Sequence, residues 1–152
     1  MKNSTEAEDF LFEIVSSSAE ETLAAGEKIG KRLHKGSIVA LEGGLGAGKT
    51  QLTKGIALGL GIHEEITSPT YTIISEYDGS IPLFHIDTYR LKGSDDFINI
   101  GAEELLYGNG VCVIEWSNIV ADMLPEKKVS VKIKILDDGK RLICVDGMNL
   151  EG

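Results

Sequence analysis

The residues best suited to chemistry lie in Gly43-Gly44-Leu45-Gly46-Ala47-Gly48-Lys49-Thr50, which fits the phosphate-binding pattern G-x-x-x-x-G-K-[ST] at every fixed position. A polyphosphate held this way is wrapped by converging backbone N–H groups, including those of Leu45 and Ala47, so side chains would obstruct it. Gly43, Gly44, Gly46 and Gly48 remove Cβ atoms where the chain bends and nears the anion. Lys49 supplies a point charge for the β and γ phosphates, and the Thr50 hydroxyl is placed to ligate Mg²⁺. Hydrolysis needs more: an acid on the far side that holds the metal or orients water. Asp87 ends the apolar run Leu83 to Ile86, and Glu115 ends Val111 to Ile114. Either carboxylate could bind Mg²⁺, and the other could position or activate the attacking water. Alone, an acid at a strand end is ordinarily solvated at the sheet rim; the phosphate loop changes that reading.

Other candidates are less determined by residue type. Thr67, Ser68 and Thr70 follow the loop's helix, where a switch segment could sense a γ-phosphate through a hydroxyl, although T-S-P-T also reads as a turn before a strand. Trp116, beside Glu115, could be core, a partner anchor or a nucleotide-sensitive lid. His85 lies within a strand pattern and reads as a packed, hydrogen-bonded histidine. Arg90 could pair with an acid or reach phosphate.

The elements that must position these groups can be read from periodicity. Ser37 to Glu42 is an apolar run of the kind a buried parallel strand shows, and it enters the phosphate loop directly. After the loop, Leu52, Ile56, Ala57 and Leu60 lie at helical spacing until Gly59 and Gly61 stop the pattern. Upstream, Phe10 to Val15 reads as a strand, and Ser18-Ala19-Glu20-Glu21 has the form of a capping box opening a helix. Leu23, Gly26, Ile29, Gly30 and Leu33 trace one face of that helix, with Gly36 as its expected stop. The small residues on this face call for close packing against another element or a ligand. Downstream, Tyr71 to Tyr77 and Ile81 to Asp87 form an expected hairpin around Asp78-Gly79-Ser80. Asp95 to Tyr107 reads as two short helical pieces interrupted near Gly101. Val111 to Ile114 is a second strand buried on both faces. Val129 to Ile135 alternates apolar and polar residues and turns at Asp137-Asp138-Gly139 into Arg141 to Val145, a half-exposed antiparallel hairpin. The expected fold is α/β: a P-loop NTPase with a central mixed, largely parallel sheet, helices on its faces and a C-terminal antiparallel hairpin. Nucleotide would lie at the C-terminal ends of the central strands.

Composition bounds the functions available. The 152 residues are read as a single domain, with Met1 to Asp9 as a polar tail. A net charge of −9 and a pI near 4.8 count against unaided binding of DNA or RNA. Cys112 and Cys144 fall in apolar strand patterns and read as buried free thiols, which favours a reducing compartment. The chain carries no basic-then-apolar signal segment and no apolar run approaching the ~20 residues that cross a bilayer. A cytoplasmic protein without a membrane partner is the expectation.

Together the motifs resemble one family, the bacterial tRNA threonylcarbamoyladenosine biosynthesis ATPase TsaE, also called YjeE. The resemblance rests on Ser18 to Thr22 with Gly26, Leu45 to Thr50, Ser68-Pro69-Thr70-Tyr71 with Glu76-Tyr77, His85-Ile86-Asp87-Thr88-Tyr89-Arg90-Leu91, and Ile114-Glu115-Trp116. The loop is generic, whereas H-x-D-x-Y-R-L followed by E-W is specific. The resemblance implies a small Mg²⁺-dependent ATPase that docks on a TsaB–TsaD heterodimer, in which TsaD transfers threonylcarbamoyl to adenosine 37 of tRNAs reading ANN codons. The tRNA would be reached only through that complex. It further implies that Thr50 and Glu115 ligate Mg²⁺, that Lys49 and Asp87 serve catalysis, and that Trp116 moves with nucleotide or partner. Ser18 and Thr22 would lie near the adenosine of ATP, with Lys140 or Arg141 approaching it from the last hairpin. Gly44 stands where the family commonly has Asp, and Ser117 where it has Pro. Two other functions use the same loop: a small-molecule kinase, which ordinarily needs several lid arginines, and a nucleotide-controlled binding module whose hydrolysis is incidental.

Overall fold

The computed structural model describes residues 11–44, 46–66 and 74–151. The expected roles of Leu45, Thr67, Ser68 and Thr70, the beginning of the strand starting at Tyr71, and the Met1 to Asp9 tail lie outside them. Seven strands, β1 (Leu11–Ser16), β2 (Ile38–Gly43), β3 (Ile74–Tyr77), β4 (Leu83–Asp87), β5 (Val111–Glu115), β6 (Val129–Ile135) and β7 (Arg141–Asp146), form one sheet in the order β1-β7-β6-β2-β5-β4-β3. β6, β2, β5 and β4 pair in parallel at its centre. Antiparallel pairs finish both sides, β3 on β4 at one edge and β6, β7 and β1 at the other. The sheet is thus the expected mixed α/β sheet with its C-terminal hairpin, and that hairpin joins the central strands through β6.

Burial follows this arrangement. Every residue of β5 is buried, as are the first four of β2, because helices cover both faces of the central strands. α1 (Ala19–Gly30) and α2 (Lys49–Gly59) pack on one face over Val39, Leu41, Leu83, Val113, Val131 and Ile143. α3 (Ser94–Asn99), α4 (Ala102–Leu106) and a 3-10 segment (Ser117–Met123) cover the other, around Phe97, Ile86, Cys112 and Ile114. No residue of β6, β7 or β1 belongs to that second core, so among the described residues nothing covers one face of this half-sheet. The alternation in β6 is the direct result, with Val131 buried and Lys132 exposed.

Two expectations need correction. The first helix ends at Gly30, six residues before Gly36, as Arg32 and Leu33 donate back to Ile29 and Gly30 in tighter turns. Gly36, at φ +89°, instead turns the chain into β2. Cys144 is only half-buried: it lies across from Glu13 and Lys132 on the open face of the half-sheet. Cys112 is buried as expected, and desolvation pushes its thiol up to about 12.

The two helices on the first face touch backbone to backbone. A Cβ on Gly26 or Gly30 would come within 2.2 Å of the Leu52 or Ile56 carbonyl oxygen, and one on Gly55 within 2.1 Å of the Leu23 oxygen. Real Cβ atoms do not approach backbone so closely, and the main chain at these points belongs to helices that cannot bend aside. The small residues spaced four apart on α1 thus meet their counterparts Gly55 and Gly59 on α2, the close packing anticipated for that face. Gly55→Ala is expected to separate the helices and to destabilise the fold by about 3 kcal/mol, the range of overpacked cores. A shift of the urea midpoint at constant slope would measure it.

Candidate functional site

The phosphate loop leaves β2 at Gly43 and enters α2 at Lys49. Gly46 and Gly48 take φ of +77° and +108°, left-handed values that glycine adopts without strain. The start of α2 contrasts with that of α1. In α1, Ser18 Oγ accepts the Glu21 N–H at 3.1 Å, and Glu21 Oε1 reaches past the cap to accept the Ser17 N–H at 2.6 Å, so both side chains of the S-x-x-E pair are engaged at the helix start. At α2 the cap is Gly48, no side chain among the described residues caps the first turn, and no acid lies in it. These donors and the positive end of the helix dipole are left to an external anion, so the residues present fit a bound phosphate.

Lys49 and the two acids meet at this end of the sheet. Asp87 and Glu115 are register partners at the C-terminal ends of β4 and β5, so they share a face on adjacent strands. The Lys49 ammonium donates to the Gly43 carbonyl at 2.6 Å. Burial pulls its pKa below the ordinary lysine value, while Glu115 and then Asp87 push the other way through their negative charge. Glu115 is 4% exposed and bonded through Oε2 to Nε2 of His85, itself fully buried. The expectation of a packed, hydrogen-bonded His85 holds, and its partner is the candidate metal ligand. Asp87 is half-buried, its Oδ1 accepting the Tyr89 N–H at 3.0 Å. Thr50 is half-buried in the first turn of α2.

Trp116 lies over the same group, with the Lys49 Nζ 3.4 Å from its ring centroid in a cation–π contact. Tyr89 packs at 5.0 Å from that ring. The Trp116 backbone, at φ +63°, is the one left-handed non-glycine conformation among the described residues. It is secured by the Trp116 N–H donating to Leu41 and by Thr88, whose hydroxyl shares its proton between the Glu115 and Trp116 carbonyls at 2.9 and 2.7 Å. Thr88 is fully buried and went unassigned in the sequence; a hydroxyl immediately after a strand-ending acid was the available signal.

On the other side of the loop, a cavity of about 300 Å³ is lined by Ser16, Ser17, Ser18, Thr22, Gly48 and Arg141, among others. Ser16 donates to the Ser18 carbonyl at 2.8 Å, so the 2.7 Å contact with Thr22 is a bond donated by Thr22. Arg141 reaches the loop itself: Nε donates to the Ala47 carbonyl at 3.0 Å and Nη2 to that of Gly46 at 3.1 Å. Ser18, Thr22 and Arg141 are therefore brought together beside Gly48. Lys140 is exposed in the turn and does not line the cavity. Gly44 is exposed, with nothing within 4 Å of a Cβ built there, so glycine is not sterically required at that position. Arg90 is exposed. Ser16 and Gln51, whose amide donates to Ala19 at 3.1 Å, also belong to this wall and were not foreseen. A larger hollow of about 430 Å³, between Arg32–Ile38 and Lys127–Val129 at the opposite end of the sheet, contains none of these groups.

A parallel-centred sheet, a glycine loop running into an uncapped helix and acids on neighbouring strand ends define a P-loop α/β protein. Residues 16–143 match the family described as Threonylcarbamoyl adenosine biosynthesis protein TsaE, and the chain belongs to that family. It is 53% identical to the tRNA threonylcarbamoyladenosine biosynthesis protein TsaE of Treponema pallidum (strain Nichols), covering 86% of this chain and 97% of that one. With the protein of the same name from Bacillus subtilis (strain 168) the identity is 43%, over 82% and 78% of the two chains. Among solved structures, Bacillus subtilis YdiB is similar with a TM-score of 0.75 at 37% identity, covering 93% of this chain and 88% of its own. Among the described residues, no helix is long and apolar enough to cross a membrane.

Two predictions follow from the geometry. Arg141→Ala removes both bonds to the loop carbonyls and is expected to speed amide exchange at Ala47, whose N–H donates to Gly44, by roughly tenfold, about 1.4 kcal/mol for charge-assisted bonds at a half-open site. Unchanged protection by exchange NMR would refute this clamp. Glu115→Gln takes away the stronger of the two carboxylate influences opposing desolvation, so the Lys49 pKa should fall further, read from the side-chain amine in an NMR titration.

Proposed function

We propose that this protein is a Mg²⁺-dependent ATPase that supports threonylcarbamoyladenosine formation on tRNA by acting with a TsaB–TsaD pair. The observation that carries the chemical half is the meeting of Lys49, Asp87 and Glu115 at an uncapped helix start. Family membership and the names of its relatives support the tRNA half. In this reading the first-turn N–H groups of α2 and the Lys49 ammonium bind the β and γ phosphates. Thr50 and Glu115 hold Mg²⁺, which supplies charge neutralisation of the phosphate oxygens. Asp87, whose Oδ1 is oriented by the Tyr89 N–H, positions the attacking water. Ser18, Thr22 and Arg141 line the wall for the nucleoside, and Trp116 leaves Lys49 when phosphate arrives. The acidic surface assigns tRNA contact to the partner assembly, in the reducing cytoplasm.

A kinase is less well supported by the arginines. Arg32 is at the far end of the sheet on the Lys28 and Leu150 carbonyls, Arg141 is committed to the loop, and Arg90 is exposed. A nucleotide-controlled binding module would share every feature of the site and differ only in turnover.

ATP binding and phosphate release by the purified protein, alone and with the TsaB–TsaD pair, test the reading. Stimulation by the pair is expected, and Lys49→Ala should weaken ATP binding at least roughly tenfold by removing a charge-assisted contact. Glu115→Ala should reduce hydrolysis far more than binding, and Asp87→Asn should keep the fold and lose turnover. Normal turnover in Glu115→Ala would remove its assigned role. A pair that neither binds nor changes the rate would remove the ATPase–partner reading.

A further inference from the structure

We infer that His85 is a positioning residue for the Mg²⁺ site, its Nε2–H holding Glu115 through Oε2 so that Oε1 is presented to the metal. This rests on the assignment of Glu115 to Mg²⁺ above. His85 sits in the middle of β4, fully buried, on the same face as Asp87 and diagonal to Glu115 across the β4–β5 pair. A carboxylate only accepts hydrogen bonds, so the ring proton lies on Nε2. The other ring nitrogen, Nδ1, is buried and has no partner among the described residues. A proton on Nδ1 would strand a donor there, whereas Nε2–H is paired with Glu115.

The burial itself is informative. The neighbours on this face of the sheet, Leu83, Val111 and Val113, are apolar, and an aliphatic side chain would fill the space without leaving an unpaired nitrogen. What an imidazole adds is a rigid donor aimed at one oxygen of a carboxylate that is otherwise 4% exposed. Without it, Glu115 would have to be fixed by the metal it is meant to bind, and the ordering cost would fall on metal affinity. Removal of such an orienting hydrogen bond lowers metal affinity by roughly 10–100-fold in other proteins.

The tests separate position from packing. Gln places its amide nitrogen near Nε2 and Asn does not, so His85→Gln should keep the Mg²⁺ concentration for half-maximal MgATP binding within a few-fold of wild type. His85→Asn and His85→Leu should raise it roughly 10–100-fold, read by Trp116 fluorescence, with metal-free ATP binding unchanged in both. A folded His85→Leu variant with wild-type Mg²⁺ dependence would overturn the inference. Nitrogen-15 NMR of the wild-type ring supplies a readout independent of any variant: a slowly exchanging Nε2–H is expected, and a ring protonated on Nδ1 alone would overturn it. Glu115→Gln serves as the reference. If it leaves Mg²⁺ dependence unaltered, the assignment of Glu115 fails; if it alters that dependence and His85→Leu does not, only the role of His85 fails.

Discussion

The backbone contact between α1 and α2 is the constraint on which the site depends. One helix begins at Ser18 beside the cavity and the other at Lys49 beneath the phosphate loop, so their separation sets the width of the space between them. With a carbonyl oxygen of each helix lying where a Cβ of the other would be, that separation is as small as helices permit. Gln51 fastens the same two ends by donating to Ala19. Glycine in a helix interior costs about 1 kcal/mol per residue relative to alanine. The dispersion contacts of two backbones in register offset that cost.

A second constraint is electrostatic and acts within the loop. Lys49 is buried next to two carboxylates, with a carbonyl and an indole face as its immediate contacts. The carboxylates compensate part of the desolvation, which allows a cation to remain at a buried position. Arg141 acts on the loop differently, by fixing the carbonyls of Gly46 and Ala47 from outside. With those carbonyls held outward, the loop can keep its N–H groups turned toward an anion, a preorganisation that does not require the ligand.

Much of this was legible in the sequence because the signals were local. Apolar runs marked β2 and β5, period-two alternation marked β6 and β7, and the S-x-x-E spacing marked the start of α1. The phosphate loop pattern named Lys49 and Thr50, and strand-ending acids named Asp87 and Glu115; the fold brings Lys49 and both acids to one end of the sheet. What escaped depends on contacts distant in the chain. The end of α1 is set by tightening turns at Gly30 beside Ile56, not by the glycine six residues on. Cys144 is half-exposed because, among the described residues, no helix covers its face of that half of the sheet, a fact of topology that a strand pattern does not contain. Thr88 matters through hydrogen bonds to carbonyls nearly thirty residues away, and its place after a strand-ending acid marks the hydroxyl but not those partners.

Trp116 connects the two constraints. A non-glycine residue in the left-handed region costs on the order of 1–3 kcal/mol, and here Thr88 and Leu41 hold it there by four hydrogen bonds to the backbone of Glu115 and Trp116. Its ring gains a cation–π contact with Lys49, worth about 0.5–2 kcal/mol according to exposure. A phosphate arriving at Lys49 competes for that contact with a full negative charge and loses little by displacing an indole. In the proposed reading, occupancy at the loop is coupled to the surface formed by Trp116 and Tyr89 through this contact.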